Sequence, residues 1–111
     1  MTEQQNEAMK KMANRMIKGF NAVHDRDYEK GKEELEPLMP MFHSEDSPNV
    51  KLLAYISIAQ LGTKDIDAFL ATYEELNKFD PEKEEDKKLK KRVDEMFETL
   101  MESLNDENNA Y

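Results

Sequence analysis

Two histidines stand beside carboxylates in this chain of 111 residues, His24 in VHDRD and His43 in FHSEDS. An imidazole next to an acid is the pairing used for proton transfer and, with further donors, for holding a metal. Neither histidine has a second one three or four residues away, the spacing that sets two imidazoles on one helix face. The chain also has no cysteine to supply a thiolate. The sequence therefore implies no metal and no cofactor, and gives both histidines surface or capping roles. The acid pairs Glu33-Glu34, Glu74-Glu75 and Glu84-Glu85 are adjacent in sequence. Neighbours on a helix point to different sides, whereas catalytic carboxylates converge on one cleft. With no glycine-rich phosphate loop, nucleophile elbow or zinc helix in the sequence, no catalytic residue is assigned and an enzyme is not expected.

Residues 87–92, KKLKKR, form the one basic cluster. EKEED precedes it, VDEMFE follows it, and Leu89 belongs to an apolar stripe. A solvated, locally neutralised face explains it better than a nucleic-acid or nuclear-targeting patch. The chain holds 8 methionines, of which Met9, Met12 and Met16 share one side of the first helix. Thioethers fill irregular gaps in cores and also line adaptable binding surfaces. Core packing is the plain reading, and an exposed groove of Met and Phe20 is the best candidate for a contact site.

These residues are carried by a single small domain. The length suits one core, and a composition 38% hydrophobic and 37% charged, with 3 glycines and no tryptophan, fits a helical protein with a solvated exterior. No apolar run approaches the roughly 20 residues that cross a bilayer, and the N-terminus lacks a signal-peptide pattern, so a cytoplasmic protein is expected. The net charge of -9 is spread over residues 1–49, 50–81 and 82–111, each of which has more acids than bases. Charge of that sign disfavours nucleic acid and anionic lipid, favours a basic protein partner, and also keeps a chain soluble.

The apolar spacing divides the chain into five helices. Met9, Met12, Met16, Ile17, Phe20 and Val23 recur at steps of three and four over residues 3–23. Asp27 caps a second segment carrying Tyr28, Gly31, Leu35, Leu38 and Phe42, where Pro37 and Pro40 kink the helix or end it early. Ser47 and Pro48 open a third helix that runs to Leu61 and is apolar on more than one face. Gly62 is placed to end it in a left-handed conformation. Ile66, Phe69, Leu70, Tyr73 and Leu76 face inward on the fourth. Asp80-Pro81 then stops it and opens the fifth, which carries Leu89, Val93, Met96, Phe97, Leu100 and Leu104 to residue 104. Glu84 with Lys88 and Asp86 with Lys90 have the favourable spacing of four, and residues 105–111 read as a flexible tail.

Asp27-Tyr28 and Asp65-Ile66 open corresponding helices 38 residues apart. In GTKDIDAFLATYEELNKFDP, Ile66, Phe69, Tyr73, Leu76 and Pro81 fill the pattern of the second half of a tetratricopeptide repeat. Tyr28, Gly31, Leu35 and Leu38 are the counterparts in RDYEKGKEELEPL, with Gly19 and Ala22 at the small positions of the preceding helix. Residues 12–83 thus resemble two tetratricopeptide repeats, a family of about 34 residues per repeat. Phe69 stands where the family has alanine, and Ser57 and Gln60 replace small positions. The resemblance implies an all-α domain over residues 1–104: two stacked antiparallel helical hairpins with a capping helix over 81–104.

It also implies that the first helix of each pair lines a concave surface, placing Met16, Phe20, Val23, His24, Lys51, Ala54 and Ile58 there. Met16 and Phe20 occupy the places where the family's Lys and Asn clamp for a terminal carboxylate would begin, so that ligand is not expected. Three readings follow. The first is an interaction module taking a partner helix or peptide in an apolar groove with an acidic rim. The second is an acidic inhibitor or nucleic-acid-mimicking decoy of a basic protein. The third is a homodimer through the first or last helix.

Overall fold

The computed structural model describes residues 3–109, all of whose regular structure is helical: α1 (Glu3–His24), α2 (Tyr28–Leu35), a 3-10 turn (Glu36–Leu38), α3 (Met39–Phe42), α4 (Val50–Gly62), α5 (Ile66–Leu76) and α6 (Glu84–Asn109). Among the described residues there is no strand, and no helix is long and apolar enough to cross a membrane.

α1 and α4 end in the same way. The amides of Arg26 and Asp27 donate to the carbonyls of Val23 and Ala22, and those of Lys64 and Asp65 donate to Leu61 and Gln60. These are two Schellman closures 38 residues apart, and each needs one residue in the left-handed region. Arg26 (φ 66°) and Lys64 (φ 64°) supply it. Gly62 therefore does not have the left-handed role its sequence position suggested; it is the last residue of α4 and has no positive φ. Its small size is used instead for packing, because a Cβ there would lie 2.4 Å from the Tyr28 ring. Gly19 and Gly31 likewise admit Leu35 and Val23 between α1 and α2.

The two caps that follow differ. Asp27 accepts from the Lys30 amide at 3.3 Å, the ordinary N-cap bond. Asp65 instead accepts from Lys32 Nζ at 2.6 Å, tying α2 to the start of α5. This hydrogen bond lowers the Asp65 pKa and raises that of Lys32. The Asp65 contribution to stability is present above the ordinary carboxylate range and lost as pH falls through its lowered value. The Lys32 contribution is present below the ordinary lysine range and lost as pH rises through its raised value.

Pro37 and Pro40 break the second segment into α2, the 3-10 turn and α3, each proline near the start of a new element, where its missing amide is harmless. α4 begins at Asn49 rather than Ser47-Pro48: Asn49 accepts from the Leu52 amide at 3.0 Å. Ser47 is held in a turn with Ser44 by reciprocal backbone bonds of 3.2 Å. α5 ends at Leu76, capped at Asn77 well before Asp80-Pro81, and Asp80-Pro81 does not open α6. Proline pushes the residue before it toward extended backbone, so residues 79–83 form a connector, pinned by Lys90 Nζ donating to the Phe79 carbonyl at 3.2 Å. α6 starts at Glu84, with Glu84, Glu85 and Asp86 in its first turn, where the helix dipole favours acids. Its ion pair is Glu84 with Lys87, not Lys88. The segment 105–111, expected to be a tail, continues the helix to Asn109; Ala110 and Tyr111 lie outside the described residues.

α4 is the centre. Every residue from Leu52 to Gln60 is buried, with α2, α5 and α6 packed around it and α1 beside its first half. The one buried hydroxyl on α4 that faces no other helix partner, Ser57, donates back to the Leu53 carbonyl at 2.9 Å. α6 is joined to the body through Val93, which is fully buried, and through Tyr73, whose ring stacks on Phe97 at 4.4 Å while its hydroxyl donates to Asp94 at 2.7 Å. Burial, then the Asp94 bond, raises the Tyr73 pKa.

Because left-handed backbone costs an L-residue about 1 kcal/mol that glycine is spared, Arg26→Gly and Lys64→Gly should each stabilise the protein by about 1 kcal/mol, or about 4–8 °C in Tm. Gly62→Ala should destabilise it by about 1–3 kcal/mol through overlap with Tyr28. Thermal unfolding followed by circular dichroism checks both signs.

Candidate functional site

The side chains of α1 and α4 that recur every four residues meet where the two helices run side by side. The Phe20 ring packs against Tyr55 at a tilt of 36° with centroids 4.5 Å apart, and the His24 ring lies 5.9 Å from Tyr55. The Tyr55 hydroxyl and His24 Nε2 are 3.0 Å apart. Lys51 places its ammonium 5.2 Å from the centre of the Phe20 ring and pairs with Glu85 of α6 at 3.2 Å. Phe20 and Lys51 are half-buried, His24 and Glu85 exposed. The result is one half-buried aromatic ring, Phe20, backed by the buried Tyr55 and edged by one cation and one carboxylate, suited to packing a partner's apolar side chain and hydrogen-bonding at its margin.

Of the seven residues expected to line a concave wall, Met16, Phe20, His24 and Lys51 lie on or beside this patch. Val23, Ala54 and Ile58 do not: all three are buried in the core, and Ala54 has no exposed surface. Packing of α2 and α6 against α4 takes those positions out of reach of a partner. Tyr55, on the helix that the sequence makes the most buried element, is itself buried at 7% exposure and backs Phe20 from the core side.

His43 plays a different part. Its Nδ1 accepts from the Asn49 amide at 3.0 Å, which leaves the proton on Nε2, facing Glu75 Oε1 at 3.7 Å. The ring also meets Phe79 edge-on at 5.4 Å. This histidine clasps the loop before α4 to the end of α5. Among the described residues no group of three His, Cys, Asp or Glu is arranged to hold a metal.

A second surface feature lies at the other end of α4. Leu61, with Met96, Thr99 and Leu100 of α6, lines an open cavity of about 530 Å³ bordered by Arg92 and Glu95. It is mainly apolar and, unlike the aromatic patch, was not anticipated, because Leu61 and Met96 were both assigned to the core.

Comparison with protein-family models, curated proteins and solved structures finds no match to this chain.

The two tyrosine hydroxyls should differ in worth. Tyr55→Phe leaves His24 Nε2 free to bond water, so its cost should be no more than about 1 kcal/mol; Tyr73→Phe leaves the Asp94 carboxylate without its donor and should cost about 2 kcal/mol. Urea unfolding of the two variants measures the difference.

Proposed function

We propose that this chain is a protein-interaction module, a binding protein rather than a catalyst, built as two stacked tetratricopeptide-like hairpins capped by α6. α1 pairs with α2 and α4 with α5, and the shared closure at residues 22–27 and 60–65 supports the repeat reading. The face formed by Phe20, His24 and Lys51, backed by the buried Tyr55, receives a partner helix or extended peptide with an apolar anchor. The partly exposed Phe20 ring beside the Lys51 ammonium is the observation that carries this reading. The surrounding charge of -9 selects a basic partner by raising its encounter rate, and the setting in this reading is cytoplasmic.

A second reading, the acidic decoy of a basic protein, draws on Asp94, Glu95, Glu98 and Glu102, which have no basic residue among them from Val93 to Asn105. The two separate by mutation. Peptides selected from a displayed random library against the whole chain should bind at least about tenfold more weakly to Phe20→Ala and to Lys51→Ala, a loss of about 1.4 kcal/mol. Lys64→Gly, at the far end of α4, serves as the folded control. Affinities unchanged by both substitutions and abolished by Glu95→Gln with Glu98→Gln would replace the aromatic face with the decoy.

A further inference from the structure

α1 and α6 both overrun α4, at opposite ends. Phe20 and His24 lie beside Lys51 and Tyr55 in the first half of α4, so the part of α1 before Arg15 extends past that end. Leu61, near the other end, shares a cavity with Met96 and Leu100, so α6 beyond Leu100 extends the opposite way. The molecule is accordingly long, 63 × 28 × 21 Å. At about 1.5 Å per helical residue, Met9 and Leu104 are separated by roughly 35 Å along the long axis. The two overhangs cannot meet within one molecule.

Each continues an apolar row with steps of four that becomes exposed along the overhang. On α1 the row is Met9, Ala13 and Ile17, with Met9 50% and Ile17 56% exposed. On α6 it is Met96, Leu100 and Leu104, with Leu104 41% exposed. The charges beside them are opposite. From Ala8 to His24 the chain has Lys10, Lys11, Arg15 and Lys18 and no acid; from Val93 to Tyr111 it has six acids and no base. A basic stretch of that length stands out in a chain of net charge -9. Arg15 is taken by Glu34, but among the described side chains Lys10, Lys11 and Lys18 have no ion-pair partner, and neither do Glu95, Glu98 and Glu102. Lys10 and Lys18 occupy the row adjoining Met9 and Ile17, and Glu95 adjoins Met96.

We propose that two copies of this chain pair antiparallel, the α1 overhang of each lying on the α6 overhang of the other. Lys51 lies over Phe20 of α1 and pairs with Glu85 of α6, so both helices border the same side of α4. A two-fold axis across that side brings both unlike pairs together at once and closes the assembly at two subunits. It also sets the negative C-terminal end of each α6 against the basic stretch of α1. The pairing rests on the overhangs; it sets the second copy over the side of α4 that carries Phe20 and Lys51, so a bound peptide would compete with it.

Sedimentation velocity on the full chain over a range of concentrations tests it. A dimer is expected at low salt, loosening as NaCl rises to about 0.5 M. Lys10→Glu with Lys18→Glu should raise the dimer dissociation constant at least about tenfold, and Glu95→Lys with Glu98→Lys should do the same. An equimolar mixture of the two variants should recover a heterodimer, because each altered helix then faces its complement; recovery also shows that both variants are folded. A monomer under all conditions, a dimer indifferent to the swaps, or assemblies that keep growing with concentration would overturn the pairing.

Discussion

α4 has no face it can show to water. From Leu52 to Ala59 it carries apolar or small residues around its whole circumference, and the helices about it exist in the arrangement they do because each must cover part of that surface. α2 and α5 are short and lie against it; α1 and α6 cover the remaining sides and overshoot. Fully burying one leucine or isoleucine side chain is worth about 1.5–3 kcal/mol, so uncovering any one side of α4 would cost more than a typical surface ion pair can return. The peripheral bonds, Lys32 to Asp65 and Tyr73 to Asp94, set which neighbour sits where on a core already committed to being covered.

The turns between elements make that covering possible at short range. Each Schellman closure reverses the chain within three residues and returns the next helix directly onto the one before it. Placing arginine and lysine in the left-handed positions leaves stability unused, and it frees the glycines for places where helices approach closely. Gly19, Gly31 and Gly62 all serve contacts with a side chain from another helix rather than turns.

The helical class and the dominance of α4 were legible because both follow from periodicity, a signal carried by many residues at once. The Asp27 cap and the breaks at Pro37 and Pro40 were legible because each acts locally. What escaped depended on distant partners. Asp65 looks like a cap until Lys32, 33 residues away, takes its carboxylate. Gly62 looks like a helix stop until Tyr28 lies over it. Asp-Pro at 80–81 looks like a restart until the connector and Lys90 delay α6 to Glu84. Val23, Ala54 and Ile58 were placed on a concave surface by the repeat resemblance, which cannot say how much of each helix its neighbours enclose. The opposite charge of the two overhangs is present in the sequence but masked in the charge of residues 1–49 as a whole, where the basic part of α1 is averaged with the acids around it.

Native-state hydrogen exchange measures most directly whether α4 is the element on which the rest depends. The amides of Leu52–Gln60 should exchange only through global unfolding, and those around Val93 should share that same free energy because α6 is one of the walls. The amides of residues 6–12, in the α1 overhang, should exchange orders of magnitude faster. An α4 that opens while α1 or α6 stays protected, or an α6 whose central amides exchange as freely as the overhang, would contradict it.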